Sequence, residues 1–223
     1  QLYYLDSHKE PVRLAGGLGP DKRLNEASQK RALACLSMFG ERLKGMPPGA
    51  LRAVGTSALR VAKNSEEFLA KARAALGFDI DIVAGREEAR LIYLGVSHSL
   101  PRSDATRLVV DIGGGSTECI LGVNYDARER ESLRMGCVVF SNQFFPGGLV
   151  DKASLKAAET AARIEIQGVA RQFRQGLWQD AVGSSGSAKA LGEILLQNKQ
   201  SDGHITADGL AWLRDRLLRA GDV

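Results

Sequence analysis

The sequence predicts an α/β protein built in two segments, and three observations carry that expectation. Apolar stretches of strand type alternate with helical repeats through the first hundred or so residues. Pro101-Arg102-Ser103-Asp104 reads as a linker. Beyond it an apolar run, a glycine triplet and a second alternating run restart the pattern with a hairpin at the front. Alternation of strand and helix favours a parallel or mixed sheet covered by helices, because each crossover returns over a face of the sheet.

The elements follow in order. Leu2-Tyr3-Tyr4-Leu5 is rich in β-formers, and a strand at the first residues suggests an element before it. Gly16-Gly17-Leu18-Gly19-Pro20 breaks the chain into a loop. From Asn25, a suitable N-cap, residues Ala32, Cys35, Leu36, Phe39 and Leu43 recur on one helical face until Gly45 and Pro47-Pro48 stop it. A strand is expected at Leu51 to Val54, a helix at Glu66 to Leu76, a strand at Phe78 to Val83 and a helix from Arg86 toward Ser97. After the linker, Leu108-Val109-Val110 leads into Asp111, and Thr117, Cys119, Leu121 and Val123 alternate on one face of a second strand. A third strand is expected at Glu131 to Val139, and helices at Leu155 to Phe173 and Ala207 to Ala220 flank a strand at Asp180 to Val182.

Composition narrows the classes. With 44% hydrophobic and 25% charged residues in 223, the chain can form an ordinary globular core. No apolar run approaches the ~18 residues that span a bilayer, and Gln1 to Arg13 lacks the order of a signal peptide, so a cytoplasmic, at most membrane-peripheral, protein is expected. Cys35, Cys119 and Cys137 are dispersed without C-x-x-C spacing and read as buried free thiols, with neither disulfides nor structural zinc. His8, His98 and His204 share no ligand spacing. Trp178 and Trp212 read as core residues. Thirty Lys and Arg against 26 Asp and Glu give a scattered +4, which permits a polyanion and argues against a nucleic-acid face; Arg214, Arg216 and Arg219 read as a solvated helix face.

The strongest local signal is Asp111-Ile112-Gly113-Gly114-Gly115-Ser116-Thr117-Glu118. Three glycines free the backbone for positive φ and close approach, and their N–H groups can form an anion nest, with the Ser116 and Thr117 hydroxyls as added donors. Asp111 ends an apolar strand at the lip of that loop, where a carboxylate can hold Mg²⁺ against phosphate oxygens, and Glu118 can orient water or metal from the return strand. Neither G-x-x-x-x-G-K-[ST] nor a helix-opening G-x-G-x-x-G is present, which excludes the commoner phosphate loops. Glu87 and Glu88 open a helix, where an acid can serve as a base or complement the helix dipole, and periodicity does not choose between the two. Arg60 follows the small-residue turn Gly55-Thr56-Ser57 and can grip phosphate or lie solvated. Gly183-Ser184-Ser185-Gly186-Ser187 sits between a strand and a helix, where amides can hold a further phosphate.

Together with Gly17-Leu18-Gly19, Val54-Gly55-Thr56 to Leu59-Arg60, Gly85 to Ile92, Arg134-Met135-Gly136-Cys137, Phe145-Pro146-Gly147-Gly148 and Gly183 to Ser187, this loop resembles the exopolyphosphatase and guanosine-pentaphosphate phosphatase family of the actin, sugar-kinase and Hsp70 superfamily, with its exopolyphosphatase branch most similar. The resemblance implies two actin-like (ribonuclease H-like) lobes, residues 1–103 and 104–223, with a cleft between them. It implies Mg²⁺-dependent hydrolysis of the terminal phosphate of inorganic polyphosphate, with guanosine pentaphosphate as the alternative substrate and a homodimeric state. Glu88 is implied as the base, Asp111 and Glu118 as metal residues, and Arg60, Gly113, Gly114, Gly115, Ser116, Thr117, Ser185 and Gly186 as phosphate-binding residues. The family's Asp-x-Gly-Ser-Asn-Ser first phosphate loop is expected before Gln1 and a helical region after Val223, so the first lobe is expected to be N-terminally incomplete, and a catalytically incomplete phosphate-binding fragment is the further alternative to an enzyme.

Overall fold

A computed structural model describes residues 7–222 as two compact units, Gln1–Ile82 and Val83–Val223. The strand expected at Leu2 to Leu5 lies outside the described residues. The divide at Ile82/Val83 differs from the 103/104 boundary expected from the linker, because the helix before that linker packs on the sheet after it.

In the first unit, α1 (Glu26–Leu43) starts where the Asn25 side chain accepts the Ser28 N–H at 2.8 Å, satisfying one of the helix's orphan donors. It packs on α3 (Ser65–Leu76), and the approach is close at Gly40, where a Cβ would lie 2.8 Å from the Ala75 and Leu76 carbonyl oxygens. Strands β1 (Ala53–Gly55) and β2 (Ile80–Ile82) pair in parallel, with the short helix α2 (Ser57–Val61) after the first. Leu59, Phe68, Leu69, Ala72 and Ile80 form the core. Buried Asn64 ties the unit together: its amide donates to the Leu24 carbonyl at 3.0 Å and its carbonyl accepts the Leu24 N–H at 2.8 Å, so one side chain pairs with a backbone as a strand would.

In the second unit, β3 (Arg107–Ile112), β4 (Thr117–Val123), β5 (Asp126–Leu133) and β6 (Asp180–Ser184) form a sheet in the order β5-β4-β3-β6. The β3–β4 hairpin is antiparallel as expected, and β6 runs parallel to β3. Helix α4 (Gly85–Ser99) crosses one face, burying Ala89 and Tyr93 against Val109 and Ile120. Gly122 is required beneath it, since a Cβ there would meet the Tyr93 ring.

Three expectations are corrected. The third strand ends at Leu133, and the residues expected to prolong it form α5 (Cys137–Phe144). The β-branched pair Val138-Val139 is overridden because the amides of both bond to the Gly114 carbonyl at 3.0 and 3.1 Å, starting a helix against the glycine loop. Helix α6 runs Lys152–Gln167, ending before the expected Phe173; the reciprocal capping box of Asp151 and Ser154 fixes its start. The stretch Gly183 to Ser187 is no loop: β6 passes directly into α7 (Ser185–Gln197). The final helix, α8 (Ala207–Ala220), is as expected, with Thr206 as its cap.

Of the thiols, Cys35 and Cys119 are partly buried and Cys137 is exposed, so the expectation of three buried thiols fails at the first residue of α5. Burial pushes the Cys119 thiol up to about 11. Trp178 and Trp212 are half-buried at the surface instead of in the core. Arg214, Arg216 and Arg219 are exposed as expected, and Arg214 pairs with Glu159 on α6 at 2.9 Å. Among the described residues no helix is long and apolar enough to cross a membrane.

Replacing Asn64 with Ala strands the buried Leu24 N–H and carbonyl, and is expected to cost about 1–3 kcal/mol. Urea unfolding followed by circular dichroism checks this, and an unchanged midpoint would remove Asn64 from its tying role.

Candidate active site

Strand register builds the site. Asp111 on β3 stands opposite Glu118 on β4, which stands opposite Ser132 on β5, and on the other flank Asp111 is in register with Ser184 of β6. In-register neighbours present side chains to the same face, so two carboxylates and two hydroxyls form one row across the sheet. The Ile120 side chain, two residues along β4, packs under α4, so this is the face that α4 covers.

Glu118 is 1% exposed. The Ser132 hydroxyl donates to its Oε1 at 2.7 Å. Burial pushes the Glu118 carboxyl above its ordinary range; hydroxyl hydrogen bonds from Ser132 and Ser116 pull it back, and the nearby charges of Glu88 and Asp111 push it up again. Glu88 from α4 therefore belongs to the same cluster as the row. Glu87 does not: Arg90 holds it in a two-pronged ion pair, at 2.9 and 2.7 Å, and keeps its carboxyl below the usual range. The structure thus separates the two adjacent acids that periodicity left undivided.

The glycine loop is gripped from one side. Gly113 N–H bonds the Ser116 carbonyl at 3.0 Å, and the Gly113 and Gly114 carbonyls accept the first amides of α5, with Cys137 N–H to Gly113 O at 2.9 Å. In a planar trans peptide the N–H of the next residue points opposite to the carbonyl, and no cis bond occurs here. The N–H groups of Gly114 and Gly115 therefore point away from α5, side by side, as an anion nest requires. The glycines serve this differently from expectation: none of Gly113, Gly114 and Gly115 takes a left-handed φ. What the loop needs is closeness, since a Cβ on Gly136 would lie 2.6 Å from the Gly114 carbonyl group.

The expected hydroxyl donors point elsewhere. The buried Thr117 hydroxyl donates to the Met135 carbonyl at 2.6 Å, and the buried Ser116 acts on Glu118, whose carboxyl it lowers. Ser185 and Gly186 are exposed at the start of α7, at the loop's end of the sheet, because Ser184 is in register with Asp111. Ser185 holds a left-handed φ of 72°, which is strained for a residue with a Cβ. Arg60 lies half-exposed in the last turn of α2, in the first unit. Ser132 and Gly136 were missed as site residues. The strand expected to begin at Glu131 hid the pairing of Ser132, although Gly136 stands within Arg134-Met135-Gly136-Cys137.

Among the described residues no group of three or more His, Cys, Asp or Glu side chains forms a metal cage. The row nevertheless fits Mg²⁺, which takes oxygen ligands and typically uses one or two carboxylates with water and phosphate oxygens completing its shell. Asp111 and Glu118 are the pair available for it.

Comparison with known proteins shows what the chain resembles. The sequence pattern of the Ppx/GppA phosphatase family matches residues 1–222. A guanosine-5'-triphosphate,3'-diphosphate pyrophosphatase of Photobacterium profundum is 44% identical over 188 residues, 84% of this chain and 38% of that protein. An exopolyphosphatase-like protein of known structure superposes with a TM-score of 0.77 at 26% identity, covering 83% of this chain and 59% of the other. The Ppx-GppA enzyme of Aquifex aeolicus gives 0.61 at 27% identity, covering 87% and 62%. The chain thus spans less than two thirds of the length of each of these relatives.

Two outcomes are expected of the site. Gly136→Ala should push the glycine loop off α5 at a cost of about 1–3 kcal/mol and weaken phosphate binding, measurable by unfolding and by inorganic phosphate titration. Because the folded Glu118 carboxyl is raised, its proton stabilises the fold fully below 4.5, and that contribution is lost as pH rises through the folded value. Glu118→Gln should therefore flatten the fall in stability above pH 4.5, read from denaturation midpoints across that window.

Proposed function

Since the chain belongs to the Ppx/GppA phosphatase family, whose fold is α/β and actin-like, we propose that it acts in a phosphohydrolase that removes the terminal phosphoryl group of a phosphoanhydride, guanosine 5'-triphosphate 3'-diphosphate first among substrates. The observation that carries the reading is the acid cluster of Asp111, Glu118 and Glu88 set beside two outward N–H groups of one glycine loop. The 44% identity to a pyrophosphatase acting on that nucleotide supports the substrate choice.

In this reading the Gly114 and Gly115 amides hold oxygens of the terminal phosphate. Glu88 accepts a proton from water as the water oxygen attacks phosphorus, and the bridging P–O bond opposite breaks, with the electron pair leaving on the bridging oxygen of the nucleotide, now one phosphate shorter. Asp111 and Glu118 would hold Mg²⁺, which supplies neutralisation of charge on the phosphate oxygens when bound. Glu87, engaged with Arg90, takes no part.

A second reading is inorganic polyphosphate as substrate. The likeness to an exopolyphosphatase-like structure and the exposed Ser185 and Gly186 at the loop's end of the sheet favour it, since a phosphate chain needs a second anion position.

Phosphate release from both substrates with Mg²⁺ tests the reading on the intact protein. Glu88→Gln is expected to lower kcat by about 10²- to 10⁴-fold with a much smaller change in KM. Turnover by Glu88→Gln at the native rate would remove Glu88 as base. Hydrolysis of polyphosphate alone would select the second substrate, and binding without turnover by the native protein would reduce the role to phosphate capture.

A further inference from the structure

We propose that Ser132 is a positioning residue of the acid row: its hydroxyl fixes the direction of the Glu118 carboxylate and thereby sets the affinity of the site for a divalent cation. The inference rests on the reading of Asp111 and Glu118 as the cation-holding pair.

At 1% exposure, Glu118 has no bulk water to orient or solvate it, so its orientation is set by protein groups. Its flanks differ in kind. On the β5 side stands the Ser132 hydroxyl, donating at 2.7 Å; on the β3 side stands another carboxylate, Asp111. A carboxylate between a donor and a like charge turns one oxygen to the donor, which fixes the direction of the other. Ser116 also lowers the Glu118 carboxyl, but it lies in the glycine loop and not within a strand. Ser132 instead sits within a strand laddered to β4. Its neighbour Glu131 is bound to Arg86 at the start of α4 at 2.6 Å, so the ion pair also ties this point of β5 to the helix that carries Glu88.

Packing does not explain the choice of residue. Leu133, the next residue, points to the other face and is buried, while Ser132 is half-buried and fills little volume. What a serine provides here is a single directed donor, and Thr would provide the same donor with good strand propensity.

Removing a partner that orients a metal-holding carboxylate typically weakens metal binding by about 10- to 100-fold. Mn²⁺ titration of the intact protein, followed by the electron paramagnetic resonance of free Mn²⁺, gives the Kd directly and needs no substrate. Ser132→Ala is expected to raise that Kd by about 10- to 100-fold, with Ser132→Thr within a few-fold of native and all three proteins keeping the same circular-dichroism spectrum without metal. At saturating cation the KM for the phosphate substrate should be unchanged in Ser132→Ala. An unchanged Kd in Ser132→Ala overturns the inference, as does an equal loss in both variants. No Mn²⁺ binding by the native protein would instead overturn the cation reading of the row, and this inference with it.

Discussion

The pairing of Asp111 with Glu118 across the β3–β4 hairpin governs the rest of the second unit. A shift of one residue in that register would send one acid to the opposite face and dissolve the row. The pairing is expensive, because like charges are brought together where Glu118 is closed to water. The surrounding elements make it tolerable: the Ser132 hydroxyl donates to Glu118, and Ser116 also lowers its carboxyl. Strands that merely closed a core would place apolar residues at these positions, as β3 and β4 do two residues away at Val109 and Ile120.

The glycine loop and α5 depend on each other in the same way. Helix α5 has no side-chain cap, and its first amides are satisfied by the loop's own carbonyls. The loop in turn is turned over by those bonds so that its N–H groups face outward. The contact is tightest at Gly136, outside the loop, where a Cβ would come within 2.6 Å of the loop backbone, against 3.2 Å at Gly113 and 3.4 Å at Gly114.

Much of this was legible in the sequence. Alternation gave the hairpin, Asn25 marked the start of α1, and the Asp111–Glu118 stretch marked the loop and its acids. What escaped has a common physical origin in contacts between segments distant in sequence. Val138 and Val139 read as strand because their helix is nucleated by carbonyls more than twenty residues earlier. Glu87 and Glu88 are indistinguishable by position in a first helical turn, and only the partner each meets, Arg90 or the row, separates them. The linker at Pro101–Asp104 was visible but does not divide the units, since helix packing on a sheet outweighs local chain composition.

The junction of β6 with α7 passes from strand to helix between Ser184 and Ser185 without a connecting residue. Gly183 lies so near α7 that a Cβ there would meet Ala188 at 2.8 Å, and Ser185 bends the chain through a left-handed conformation. A connection of this kind has no slack, so it should be intolerant of added or deleted residues over evolutionary time. Segments outside helix and strand, such as 168–179 and 198–206, would absorb a change of length instead. The distance in space between the glycine loop and the start of α7 is therefore set by the β3–β6 register, and substitutions there act through chemistry and not through reach.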